Sequence, residues 1–192
     1  MAYAVQALLI VDMQVDYFND NELERCRDDL VAACNSLAAR ATAAGAPVIE
    51  VRTEHKPDRS TWALNMRDDD SGMVIEGTTG AEPVAGLHTD NAFTVIKTRD
   101  SAFFRTELED LLAARGVETI ALAGVSTESC IATTAADAYA RDLRVVLVDE
   151  AVASIDPGLN RRTQEQLEKQ YRQPTVRLAD VAFATPGEQL TA

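Results

Sequence analysis

The stretch GVSTESCIATTAADA, residues 124–138, sets one cysteine behind two hydroxyl residues and an acid at the opening of a helical pattern. A thiol in the first turn of a helix faces unpaired backbone N–H groups and the positive end of the helix dipole. Both favour the thiolate, which is the nucleophilic form. A nucleophilic Cys130 also needs a base for its proton and a cation to hold the charge. Asp12, which ends the apolar run QALLIVD, and Lys97, which ends FTVIK, are suited to those parts. Asp12 would take the thiol proton and later deliver it to a leaving nitrogen. The N–H groups of Ser126 and Cys130 are expected to point where a tetrahedral oxyanion would develop. Each residue also has a plainer reading: Cys130 as a small apolar filler, Asp12 as a turn or cap residue, Lys97 as a solvated strand end.

What separates these readings is whether the three groups meet, and that depends on the elements carrying them. The runs QALLIVD (6–12), PVIEVR (47–52), FTVIK (93–97), ETIALAGV (118–125) and RVVLVDEA (144–151) are short, almost continuously apolar and rich in Val and Ile. Such runs suit strands buried on both faces. Helical patterns separate them. Leu23, Cys26, Leu30, Cys34, Leu37 and Ala41 recur at three- and four-residue spacing before a stop at Gly45 and Pro47. A capping box at Thr106–Glu109 opens a second helix. A third is expected from Thr127 to Leu143, and a fourth after Asp156-Pro157. A last short strand is expected near PTVRL, with a frayed tail after Pro186. Strands alternating with helices predict a three-layer α/β/α domain over residues 1–192, built on a mainly parallel sheet. In such sheets the ligand crevice lies beyond the carboxyl ends of the strands, the rim at which Asp12, Lys97 and Cys130 should all emerge.

Composition sets outer bounds. With 192 residues, 46% hydrophobic and 26% charged, the chain can bury the core of one domain. Its formal charge of -13 has the wrong sign for a nucleic acid or an anionic membrane as partner. The N-terminal apolar run is too short to span a bilayer and lacks a basic flank and cleavage pattern, so a cytoplasmic protein is expected. Three cysteines do not make a disulfide framework. Cys26 and Cys34 fall on the apolar stripe of the first helix and are read as core.

The blocks LLIVDMQVDYF, EGTTGAE, VIKTRDSAFFRT and LAGVSTESCIATTAADA, followed by VVLVDEAVAS, together resemble the isochorismatase-like cysteine hydrolases. That group includes nicotinamidases, N-carbamoylsarcosine amidohydrolase and ureidoacrylate amidohydrolases, and the likeness runs in order from about residue 7 to 155. The resemblance implies a six-stranded parallel sheet and a triad falling on Asp12, Lys97 and Cys130. It also implies a cis peptide between Val125 and Ser126 that helps form the oxyanion hole, and a homodimer or homotetramer.

Departures from the family pattern narrow the chemistry. True isochorismatases hydrolyse an enol ether without the nucleophilic cysteine; its presence here favours an amide-like carbonyl. Metal-binding nicotinamidases carry an aspartate and several histidines after the second strand, whereas that region offers only His55 and, far downstream, His88. The expectation is no catalytic metal and no cofactor. Asp68–Asp70 is read as a solvated acidic loop. Tyr17 and Trp62 are candidate flat walls for a small planar substrate, with Val125 beside them, and each is equally compatible with core packing. Arg99 and Arg105 could hold a substrate carboxylate but read more simply as surface ion pairs. The leading function is hydrolysis of a small amide, carbamoyl or ureido compound. The alternatives are a nicotinamidase, an enol-ether hydrolase and a catalytically silent binding module.

Overall fold

The computed structural model describes residues 2–19 and 22–187. In chain order it contains β1 (Tyr3–Val5), β2 (Ala7–Val11), α1 (Glu22–Ala43), β3 (Val48–Thr53), α2 (Leu64–Asp68), β4 (Phe93–Lys97) and α3 (Leu108–Ala113). There follow β5 (Thr119–Val125), α4 (Ala132–Tyr139), β6 (Arg144–Ala153), α5 (Pro157–Tyr171), β7 (Thr175–Val176) and β8 (Val181–Phe183). Each apolar run of the sequence becomes a strand, and six strands form one sheet in the order β4-β3-β2-β5-β6-β7. Its neighbouring pairs are all parallel. β1 and β8 form a separate parallel pair that the sequence pattern did not announce.

The continuous hydrophobicity of β2 has a direct cause. All five of its residues are fully buried, and their alternation feeds two cores. Leu8 and Ile10 join Leu30, Cys34 and Leu37 of α1 on one face of the sheet. Ala7, Leu9 and Val11 join Leu108 of α3, Ala135 and Ala138 of α4 and Leu167 of α5 on the other. Each large aliphatic side chain so buried contributes roughly 1.5–3 kcal/mol. This is the three-layer α/β/α architecture, and its consequence for function lies at β2. The next strand in sequence, β3, lies on one side of β2 and β5 on the other, so a crevice opens beyond the carboxyl ends of β2 and β5.

Most element ends follow their sequence signals. α1 stops before Gly45, which adopts φ +71°. Asp156 caps α5, its carboxylate accepting from the N–H groups of Gly158 and Leu159. Three expectations need correction. The third helix does not run unbroken from Thr127 to Leu143: residues Thr127–Ile131 form a wider π turn, and the α-helix proper covers only Ala132–Tyr139. The capping box is half made. Thr106 Oγ1 accepts from the Leu108 N–H at 3.3 Å, while Glu109 is drawn away to Arg141 at 2.8 Å. Cys34 is fully buried as expected, but Cys26 sits only half-buried at the edge of the core. Of the tail expected after Pro186, the part beyond Gly187 lies outside the described residues.

The long segment at 54–92 is fastened rather than loose. His55 and Glu76 exchange backbone bonds with neighbouring turns, the His55 N–H donating to the Val74 carbonyl and the Glu76 N–H to the His55 carbonyl, both at 2.9 Å. Val74 holds φ +47°, a region β-branched residues rarely enter, with its N–H given to Asp16 Oδ2 at 2.6 Å.

Candidate active site

Four strand ends build the site. β2 ends at Val11, and Asp12 turns out of it with φ +53°, its N–H tied to the Val51 carbonyl at 2.8 Å. β3 contributes Thr53 as its last residue, β4 contributes Lys97 as its last residue, and the π turn after β5 contributes Cys130. All four are buried: Asp12 is 0%, Lys97 1%, Cys130 4% and Thr53 5% exposed. The solvated-strand-end reading of Lys97 is therefore wrong.

Lys97 Nζ lies 2.8 Å from Asp12 Oδ2, 2.6 Å from Thr53 Oγ1 and 3.3 Å from Cys130 Sγ. The Thr53 hydroxyl lies 2.9 Å from Asp12 Oδ1. The sequence thus brings a sulfur, a carboxylate and an ammonium into contact from residues 12, 97 and 130. A buried ammonium with a buried carboxylate is tolerated because each supplies the other's missing solvation.

Their proton affinities follow from that arrangement. Burial alone would pull the Lys97 pKa down, but Asp12 and then Cys130 more than offset it, and the ammonium is held above its ordinary value. Burial, and after it the charge of Asp12, push the Cys130 thiol well up, with Lys97 pulling the other way. The helix opening was expected to favour the thiolate; desolvation in this closed corner wins instead. The resting site is a neutral thiol beside an ion pair, so sulfur must lose its proton as it attacks. Alkylation of Cys130 by iodoacetamide should accordingly still be accelerating at about pH 9. A plateau reached below about pH 7 would show a preformed thiolate.

The turn carrying Cys130 begins at a cis peptide between Val125 and Ser126. The Ser126 carbonyl accepts from the N–H groups of Ser129 at 3.1 Å and Ile131 at 3.2 Å, which pins the turn. The N–H groups of Ser126 and Cys130 take no part in that pinning.

The other sequence candidates divide. Tyr17, half-buried in a short turn (Val15–Phe18), lies near enough to Asp12, Thr53 and Cys130 to feel them. Burial, then the charges of Asp12 and Cys130, raise its phenol well above the ordinary value, against a lowering hydrogen bond with the Thr53 side chain. Its hydroxyl therefore stays protonated and is a donor. Trp62 is 6% exposed, covered by the Arg59 guanidinium 4.7 Å from the ring centroid. The Val125 side chain points into the core on the α1 face. Arg99 is no surface ion pair: it donates to the carbonyls of Thr61, Thr98 and Trp62, tying the 54–92 segment to the end of β4. Arg105 stacks on its neighbour Phe104 at 5.1 Å.

The donors around the site do not fit a resident metal ion. His55 gives its Nδ1 to the Thr61 carbonyl at 3.0 Å, and burial lowers its pKa so the ring is neutral. His88 lies elsewhere, lining a 250 Å³ surface cavity with Asn35 and Thr42. Among the described residues no group of three or more His, Cys, Asp or Glu side chains could hold an ion. Asp70 of the acidic triplet pairs with Arg59.

A family model described as the isochorismatase domain matches residues 6–181. The chain belongs to the isochorismatase family. It is 34% identical over 163 residues to a probable inactive nicotinamidase of Arabidopsis thaliana, covering 80% of this chain and 83% of that one. It is 33% identical to streptothricin hydrolase of Streptomyces noursei over 81% of this chain, which spans 59% of that longer relative. An isochorismatase family protein from Desulfovibrio vulgaris, solved by crystallography, superposes with a TM-score of 0.79 at 33% identity, over 93% of this chain and 96% of that one.

Two residues of this isochorismatase-family site escaped the sequence reading. Thr53 lies one residue beyond the run read as PVIEVR, at a strand end the rim rule would have selected. Gln14 stands in the block VDMQ, two residues after Asp12, and its buried amide bonds the Thr53 backbone from both sides.

Proposed function

We propose that this chain is a cysteine-dependent amidohydrolase that cleaves a non-peptide carbon–nitrogen bond of a small molecule, a carbamoyl, ureido or carboxamide compound, through a thioester on Cys130. Membership in the isochorismatase family, with streptothricin hydrolase among its relatives, supports a hydrolase acting on carbon–nitrogen bonds other than peptide bonds. One observation carries the finer reading: the Lys97 ammonium touches both Asp12 Oδ2 at 2.8 Å and Cys130 Sγ at 3.3 Å.

From that geometry the steps follow. Asp12 takes the thiol proton as the sulfur attacks the carbonyl carbon, and Lys97 stays beside the single negative charge as it passes from the carboxylate to the sulfur and on to the carbonyl oxygen. The carbonyl oxygen becomes an oxyanion held by the N–H groups of Ser126 and Cys130. The oxyanion collapses, the carbon–nitrogen bond breaks, and Asp12 passes its proton to the departing nitrogen. Water then attacks the thioester with Asp12 as its base; the acid leaves and the thiol regains its proton. Each proton removed is returned, and no oxidant or metal enters.

The reading also argues against a silent binding module, which has no need to bury an ion pair against a thiol at a cost in desolvation. The test is ammonia release from a panel of small carboxamides, carbamoyl amino acids and ureido acids, with turnover quenched in acid and the whole protein weighed. Ammonia release with a mass increase on the Cys130 peptide is expected for at least one compound. Turnover with no acyl adduct under any quench would overturn the covalent route.

A further inference from the structure

We propose that Thr53 is a positioning residue of this site, its hydroxyl fixing the Asp12 carboxylate and the Lys97 ammonium so that one ammonium proton faces the Cys130 sulfur. The inference rests on the reading of Cys130 as the nucleophile.

A count of protons carries it. An ammonium has three N–H donors and no lone pair. Lys97 has three partners within reach: Asp12 Oδ2 at 2.8 Å, Thr53 Oγ1 at 2.6 Å and Cys130 Sγ at 3.3 Å. Thr53 must accept from Lys97, because Lys97 can only donate. Its single hydroxyl proton is then committed to Asp12 Oδ1, 2.9 Å away. Both carboxylate oxygens are thereby engaged, Oδ1 by the hydrogen bond from Thr53 and Oδ2 by its ion pair with Lys97. With one oxygen free the carboxylate could swing about its Cβ–Cγ bond and carry Lys97 with it, away from the sulfur.

Thr53 is itself held with unusual completeness. The Gln14 side chain, fully buried, accepts from the Thr53 N–H at 2.9 Å and donates to the Thr53 carbonyl at 2.8 Å. Its second amide proton goes to the Ala81 carbonyl at 2.8 Å, so every polar atom of the amide is used. β-branching at Thr53 narrows its χ1 further. The block VDMQ thus acts twice on one residue: Asp12 receives the Thr53 hydroxyl, and Gln14 clamps the Thr53 backbone. Filling space would require only the shape of threonine, and valine has that shape.

Thr53→Val and Thr53→Ser separate the two roles. Losing a hydrogen bond to a charged group should slow kcat by about 10- to 150-fold in Thr53→Val, with KM little changed. Iodoacetamide alkylation of Cys130 near pH 7, which needs no substrate, should slow by a similar factor. Thr53→Ser keeps the hydroxyl and should stay within about 5-fold of the parent protein. A Thr53→Val protein with unchanged kcat and alkylation rate overturns the proposal. So does a Thr53→Ser protein as impaired as Thr53→Val, because then shape is what matters. Cys130→Ala, run alongside, reports on the parent reading alone: turnover that survives there sinks the nucleophile, whatever Thr53 does.

Discussion

Cys130→Ala is expected to lower kcat by about 10⁴-fold or more while the protein still folds. On the proposed reading the sulfur forms the bond to carbon, and Asp12 and Lys97 serve it. Without it, the oxyanion donors and the ion pair can still bind a substrate, so KM should change far less than kcat. Folding should survive because the change removes one small buried group, at a cost of about 1 kcal/mol and a few degrees of melting temperature. Cys130→Ser should be nearly as inactive. A hydroxyl binds its proton far more tightly than a thiol, so the attacking oxyanion forms far less readily. Ammonia release and intact mass read both variants. Turnover persisting in Cys130→Ala would point to hydrolysis by Asp12 and Lys97 acting on water, the chemistry suited to an enol ether. That result would remove the thioester.

The fold and the meeting of Asp12, Lys97 and Cys130 at one rim were legible in the sequence because each has a local signature. Two-sided burial writes a strand as an unbroken run of Val, Ile, Leu and Ala, and parallel connection then brings the ends of such runs to one rim. Asp12 and Lys97 stand at the ends of their runs, and Cys130 follows its run after a short turn. Thr53 lay just past its run and carries no charge, so only its place at a strand end could have marked it out. Gln14 escaped for a different reason: its task is to bond a backbone 39 residues away, and no local spacing encodes that. The proton affinity of Cys130 was misread because helix-end electrostatics can be inferred from position along a chain, whereas desolvation depends on what closes over the group. Here the π turn and the ends of β2, β3 and β4 close over it. The pair β1 with β8 was missed because strands of three residues have no periodicity to read.

Gly124→Ala is expected to destabilise the protein by more than about 4 kcal/mol and to leave no activity in whatever still folds. Gly124 pairs with Val11 on one side and Val152 on the other, where β5 shifts register between Leu122 and Gly124. Its φ is +112°, and a β-carbon placed there would lie 1.9 Å from the Val11 carbonyl oxygen and 2.7 Å from the Val11 nitrogen. Those are backbone atoms of a strand buried on both faces, so neither can yield without moving β2. Val11 immediately precedes Asp12, and Gly124 stands six residues before Cys130. The close approach of these two backbones is therefore what sets the carboxylate beside the sulfur, and any separation of β2 from β5 opens the site. Gly77 supplies the control: it also has positive φ, +78°, but a β-carbon there meets nothing within 4 Å. Gly77→Ala should cost only about 1–2 kcal/mol, the conformational penalty alone. Chemical denaturation of the two variants isolates the steric part of the Gly124 effect. If they melt alike, the tight crossing of β2 and β5 is not what holds Asp12 in place.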